Sequence, residues 1–237
     1  MSLVNVDDGA LSAVMGRLSR QELGRMDLRE ALGAVVGAMP ELFAVDGAGV
    51  LLLDEGQDLR HVASTDEGAQ ILEALQETTG RGPCVSALID DEVVMVSDMA
   101  EDDRWADLRP VLVGNGIRGI LGVPVHVAGA AVGSLNVYHR EAHGWDRSDV
   151  AAVQAIDGVI EHLLTTALLG ARHEQLVGQL ERALSVRISI DRAVGMLMGL
   201  HELDAAEAFE RIRRSARAAR RSVRDVAGDV LAFRKLP

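Results

Sequence analysis

The run Arg118-Gly-Ile-Leu-Gly-Val-Pro-Val-His-Val127, the tripeptide Ala128-Gly129-Ala130 and the run Ala131-Val-Gly-Ser-Leu-Asn-Val-Tyr-His139 decide the fold. Leu121, Val123, Val125 and Val127 alternate with Ile120, Gly122 and Pro124, and Val132, Leu135 and Val137 answer across the short connection. Alternation marks strands, and a few small residues between two such runs mark a hairpin, so the pair is antiparallel. Upstream, 47–54 is a short apolar run entered at Gly47 and left at Asp54, and 59–64 alternates after a Gly56-Gln57 turn. These predict a second hairpin, and 92–97 a further strand. Helices are predicted over 9–43, with Leu28, Leu32, Val35, Val36 and Met39 on one face before Pro40. Others are predicted over about 67–79, stopped by Gly80 and Gly82, and over 104–113. This order gives an α+β fold, an antiparallel sheet flanked by helices, and not an alternating βαβ array.

From Trp145 a helix begins that has no clear stop for about thirty residues. Val153, Ile156, Ile160, Leu163 and Ala167 step by threes and fours, the spacing of a coiled-coil seam, and the stripe continues at Leu169, Leu176, Leu180 and Leu184. That predicts a long helical linker that favours a homodimer. Residues 185–237 hold no strand pattern. One helix ends near Gly199, another opens at Asp204 (Asp-Ala-Ala-Glu, capping-box spacing) and a third at Ser222. The expected organisation is an N-terminal module over 1–148, a linker over 149–179 and a three-helix domain over 180–237.

Composition narrows the classes. The 237 residues carry 24 basic and 36 acidic side chains, a net charge of −12, with 48% hydrophobic and 3% aromatic residues. These values exclude wholesale disorder and collagen-like repeats. The single Cys84 excludes an internal disulfide and fits a reducing cytosol. No apolar run reaches the roughly 18 residues that span a bilayer, and the first residues lack the basic and apolar regions of a leader. No membrane partner is expected, and the location expected is cytoplasmic. The acidic total argues against nucleic acid until the charge is divided by region. Residues 180–237 hold 12 of the 24 basic residues and only 8 of the 36 acidic ones. Seven arginines fall between Arg211 and Arg224 with no acid among them.

Gly114-Asn-Gly116-Ile-Arg-Gly119 matches a dinucleotide fingerprint in letters only, because it follows a helix and opens a strand. His139 and His143 are spaced to share a metal only on a helix, and they leave a strand through a loop. Cys84, in Gly82-Pro83-Cys84 at the start of an apolar turn, reads as a small buried or pocket-lining thiol. No P-loop, G-x-S-x-G or H-E-x-x-H occurs, so neither catalysis, a cofactor nor a metal is expected. The arginine cluster carries the strongest signal. On a helical wheel Phe209, Ile212, Ala216 and Ala219 share one face, while Arg214, Arg217 and Arg221 lie opposite, flanked by Arg213 and Arg220. Like charges at these spacings cost helix stability. A phosphate-bearing partner offsets that cost, and arginine forks suit phosphate.

Three segments in order resemble the ANTAR family: Leu184-Ser-Val-Arg187-Ile-Ser-Ile-Asp-Arg-Ala193-Val-Gly195-Met-Leu-Met198, Asp204-Ala-Ala-Glu207-Ala-Phe209-Glu-Arg-Ile212-Arg213 and Val223-Arg-Asp225-Val-Ala227. The N-terminal part resembles a GAF domain of the kind fused to ANTAR in actinobacteria. It does so through Gly82-Pro83-Cys84-Val85, Asp98 with Asp103-Arg104-Trp105, Arg118–Pro124 and Gly133-Ser-Leu-Asn136-Val-Tyr138. The resemblance implies a sensor for a small molecule or partner, with Cys84 a weak pocket candidate, joined to a dimeric RNA-binding antiterminator. Such a protein recognises paired stem-loops in nascent transcripts and so prevents a terminator hairpin. By family position Arg187 and Arg213 contact RNA, and Arg214, Arg217 and Arg221 are added from the wheel. Val194 departs from the family, which often has lysine there. The competing reading is a signalling protein whose basic helical tail docks an acidic protein partner.

Overall fold

The computed structural model describes residues 26–169, 175–219 and 221–235; the part of the 9–43 expectation before residue 26 lies outside them. In chain order the elements are α1 (Leu28–Phe43), β1 (Gly47–Leu53), β2 (Leu59–Ser64), α2 (Glu67–Thr79), α3 (Pro83–Asp90), β3 (Val94–Val96), α4 (Arg109–Gly114), β4 (Gly119–Val127), β5 (Ala130–His139), α5 (Arg147–Leu169), α6 (Gln175–His201), α7 (Ala205–Ala219) and α8 (Val223–Phe233). The strands form one sheet in the order β2-β1-β5-β4-β3, with antiparallel neighbours throughout. Both predicted hairpins are present.

Each face of the sheet carries its own core. Leu121, Val123, Val125 and Val127 of β4 point with Val50 and Leu52 of β1 towards α1, α5 and the first turns of α6. Ile120, Leu51 and Leu53 point the other way, towards α2 and α3. The register of β4 against β5 shifts between Val125 and His126, which oppose Gly133 and Ala131, so Val132 is the extra residue of a bulge. That bulge explains why Val132 shares a face with Leu135 and Val137 although its parity in the sequence differs. Gly133 follows it, against β1, where a Cβ would stand 2.2 Å from the Leu51 carbonyl oxygen. The obstacle is backbone and cannot rotate aside. Gly133→Ala is expected to cost on the order of 3 kcal/mol, read as a thermal midpoint lowered by about 6–12 °C.

Two local expectations change. Residues 83–90 form helix α3 and not a turn, because Pro83 occupies a first-turn position where its missing N–H costs nothing. The helix expected over 104–113 divides into a single 3-10 turn, Asp103–Trp105, and the short α4. Pro110 has no N–H to donate to the carbonyl four residues back and its ring crowds that carbonyl, so an α-helix cannot run through it from residue 104, while the first turn of α4 tolerates it.

The stripe that reads as an intermolecular seam is internal. Val153, Ile156 and Ile160 of α5, joined by Leu164 in place of Leu163, are buried in the core against β4 and α1. A period of alternating three and four fits a sheet face as well as a partner helix, and here the sheet occupies it. By length and composition alone α5 could cross a bilayer, which the search for one unbroken apolar run misses because Asp157 and Glu161 interrupt it. Helix α6 then carries the chain from one core to another. Val177 and Leu180 belong to the sheet's core, whereas Ile190, Ala193 and Leu197 pack with α7 and α8.

Candidate nucleic-acid interface

The C-terminal core is small. Ala208, Ile212 and Ala216, at successive intervals of four on α7, meet Ile190, Ala193 and Leu197 of α6 and Val226, Ala227 and Val230 of α8. Asp204 caps α7 by accepting from the Glu207 N–H at 2.7 Å, and Ser222 caps α8 by accepting from Asp225 at 3.0 Å, as the spacings predict. Ala219 is exposed and not on the buried face, because α7 ends there, beyond the reach of its neighbours.

This packing sorts the predicted arginines into two groups. Arg214 and Arg221 are exposed, together with Arg211 and Arg224; Arg221 pairs with Asp229 of α8. The side chain of Arg217 and the whole of Arg220 lie outside the described residues. Arg187 and Arg213 are placed differently, against the N-terminal module. Arg187 is 8% exposed, with Nε 3.0 Å from Asp191 Oδ1 and its guanidinium 5.7 Å from the Phe209 ring centre. Arg213 stands 6.0 Å from the same ring, pairs with Glu210 at 2.9 Å and donates to the Gly80 carbonyl at 3.3 Å. Gly80 presents that carbonyl because it caps α2 in the left-handed region, φ 63°. Phe209, expected to be core, packs at the edge of the C-terminal core, half-buried, and its ring is the surface near which both cations stand.

Further ties cross the seam. Gln57 Nε2 donates to the Ala183 carbonyl at 2.8 Å, and Arg182 pairs with Glu55 on the surface. Opposing them, Asp90 at the end of α3 faces Asp204 and Glu210. Burial and these like charges, with Glu92, raise its carboxyl above the usual range. A contact that sets acid against acid is one that can open.

Within the apolar core between the sheet and helices α2 and α3 lies a cluster of polar side chains. Glu73, Gln76, Ser134 and Asn136 are fully buried. Asn136 Nδ2 donates to Glu73 Oε1 at 2.9 Å, while Glu73 Oε2 is buried without a partner. Burial pushes the Glu73 carboxyl up to about 8, with the nearby Glu77 adding to the effect and the Asn136 hydrogen bond opposing it. Cys84 lies beside them, fully buried. Its backbone N–H donates to Gln76 Oε1 at 2.9 Å and its Sγ accepts from Gln76 Nε2. Burial, then the Glu73 charge, holds the thiol well above its ordinary range. Only the thiolate reacts readily, so Cys84 is expected to resist maleimide at neutral pH until the protein is unfolded, as mass spectrometry would read. Glu73 and Gln76 share the stripe of Ala69 and Leu72 on α2. Polar residues at those positions were the sequence signal for this cluster.

The remaining motifs are structural. His139 and His143 stack at 4.2 Å and against Trp145, and pair with Asp46 and Asp149. Among the described residues no group of three side chains could hold a metal. Gly114 ends α4, Gly116 turns at φ 74° and Gly119 opens β4, a helix-to-strand loop. Arg118, at the strand's entrance, makes two hydrogen bonds to the Asp98 carboxylate, which lower the Asp98 carboxyl below its ordinary range.

The GAF domain model matches residues 27–158, and the ANTAR domain model matches residues 178–231. No curated protein matches the chain. Among solved structures, the GAF domain of an Acinetobacter phosphoenolpyruvate-protein phosphotransferase is similar with a TM-score of 0.55 and 18% identity, covering 73% of this chain and 100% of that one. The corresponding domain from Coxiella burnetii gives 0.53 and 20%, covering 70% and 99%. The phycocyanobilin-bound GAF domain of a cyanobacterial phytochrome gives 0.53 and 13%, covering 68% and 97%. At these identities the likeness is one of fold.

Proposed function

The chain belongs to the GAF family and carries an ANTAR domain after it, and from that premise we propose that it regulates transcription by binding RNA. The ANTAR domain engages paired stem-loops of a nascent transcript and keeps an overlapping terminator hairpin from forming. The GAF domain sets when this happens in response to a small molecule or partner. The protein works in the cytoplasm, without a cofactor or a reaction of its own.

The observation that carries this reading is the exposed arginine surface of α7 and α8, displayed by Arg211, Arg214 and Arg224 on a domain whose own core is complete without them. A cationic surface suits phosphate and the shape of a folded loop, and Phe233, exposed at the end of α8, is an aromatic on which a base can stack. Arg187 and Arg213 join it only when the ANTAR domain leaves the GAF domain, so the seam separates a weak-binding from a strong-binding arrangement. Two stem-loops call for two ANTAR domains, hence two chains per transcript. With the Val153, Ile156, Ile160 and Leu164 face of α5 occupied by the sheet, the dimer forms through a different face. Sedimentation with RNA is expected to give two chains per dual-hairpin transcript.

The direct test is the salt dependence of binding to a dual-hairpin RNA. Each phosphate neutralised contributes about −0.7 to −0.9 to the slope of log affinity against log salt, so four or more contacts give about −3 or steeper. A slope near zero would leave the arginine surface without a role and favour an acidic protein as the partner.

A further inference from the structure

A cavity of about 110 Å³ opens at the seam between the β1–β2 turn, helices α2 and α3, and the ANTAR helices. Leu53, Leu88 and the Phe209 ring supply apolar wall, and Gln57, Arg187 and Arg213 supply polar wall. Two of these polar groups are incomplete. Arg187 is more than nine-tenths buried, yet its Nε donates no hydrogen bond. Asp191 Oδ1, 3.0 Å away, is its ion-pair partner, in a geometry that falls short of a hydrogen bond from Nε. The Gln57 Nε2 is fixed by its bond to the Ala183 carbonyl, which can only accept. That leaves Oε1 as the free end, and it is buried with no donor. Buried polar groups without partners are uncommon in folded proteins, and a bound molecule is one thing that completes them.

The walls specify that molecule. The guanidinium asks for an acceptor, and a carboxylate answers it. The amide oxygen asks for a donor. Asp58 and Glu77 also border the cavity and disfavour a second negative charge. The volume lies between the share of one water, about 30 Å³, and an engineered cavity of about 150 Å³ that binds benzene. We propose that the GAF–ANTAR seam binds a small organic monocarboxylate that also carries a hydroxyl or ammonium donor, a short hydroxy acid or amino acid. The carboxylate sits on Arg187 with Arg213 behind it, the donor meets Gln57, and the carbon skeleton lies on Leu53, Leu88 and Phe209. Such a ligand touches both domains at once and holds them together. Its effect on RNA rests on the function proposed above; its binding does not.

The test is calorimetric titration of the full chain, without RNA, with glycolate, L-lactate, L-serine, L-threonine and β-alanine, and with lactamide and serinamide as uncharged controls. At least one acid is expected to bind with a Kd of about 10 μM to 1 mM, its amide at least about tenfold more weakly. Gln57→Glu, in a turn outside the three cores, and Arg187→Lys, which keeps charge but loses the fork, are each expected to weaken it by about tenfold or more. No heat from any acid at about 10 mM overturns the proposal, as does binding that both variants leave unchanged, which would leave water as the cavity's occupant. In a separate arm, the saturating acid is expected to lower affinity for a dual-hairpin RNA by at least about threefold, and equal RNA binding with and without it overturns the claim that the ligand holds the seam closed. If the chain binds no such RNA even without the acid, the proposed function fails, while the seam site is still judged by calorimetry.

Discussion

Reversing the charge at Arg214 and Arg217 together, as Arg214→Glu and Arg217→Glu, is expected to lower affinity for a dual-hairpin transcript by at least about 100-fold near physiological salt. Arg214 is exposed on α7, and Arg217 follows it by three residues on the same helix. Arg214 lies outside the core formed by Ala208, Ile212 and Ala216, and the fold is expected to survive the double substitution. Relief of like-charge repulsion along α7 even favours the helix slightly. Each substitution removes an attraction to phosphate and adds a repulsion, and the loss shrinks as salt rises because screening weakens both. Filter binding across a salt series, with circular dichroism to confirm the helices, makes the measurement. Undiminished affinity in the double variant would show that this face does not meet RNA.

The second large effect concerns stability. The Glu73 carboxyl titrates near 8 in the folded protein against an ordinary 4.5. Below about pH 4.5 it is neutral in both states and costs nothing. As pH rises towards 8 the unfolded chain gives up this proton and the folded chain keeps it, so stability falls across that window and is level above it. The total is on the order of 5 kcal/mol. Glu73→Gln keeps an oxygen for Asn136 Nδ2 and removes the titration. The variant is expected to match the parent near pH 4.5, to exceed it at pH 8 by several kcal/mol, and to lose most of the slope between, as urea titrations at several pH values would show. A parent whose stability rises from pH 5 to 8 in a manner Glu73→Gln leaves unchanged would contradict a neutral Glu73.

Much of this was legible from local pattern. The strand alternation around Ala128-Gly129-Ala130 gave the central hairpin to within a residue, because a one-residue slip would carry Leu121, Val123 and Val125 from the core against α1 and α5 to the opposite one against α2 and α3. Asp204 and Ser222 marked their helix starts because capping is a contact within four residues. What was not legible depended on partners distant in sequence. The α5 stripe could not say whether it faces a sheet or another chain, since both ask for the same spacing. The wheel of α7 put Arg214 on an exposed face, where it is found, and Phe209 wholly in the core, at whose edge it stands half-buried, while family position assigned Arg187 and Arg213 to RNA without showing that they meet the N-terminal module. The second domain that turns these three inward is met through the Gly80 carbonyl, 133 residues away from Arg213. Helix α3 was hidden by Gly82-Pro83, which marks a loop and a helix start equally well.

Antitermination by the chain is tested most directly by single-round transcription of a template in which a dual stem-loop overlaps an intrinsic terminator. Adding the chain is expected to raise read-through in proportion to its occupancy of the RNA, with the gain abolished in the Arg214→Glu, Arg217→Glu variant and on a template whose paired stem-loops are deleted. Read-through that does not change on adding the chain, at concentrations where filter binding shows the RNA to be saturated, would contradict antitermination.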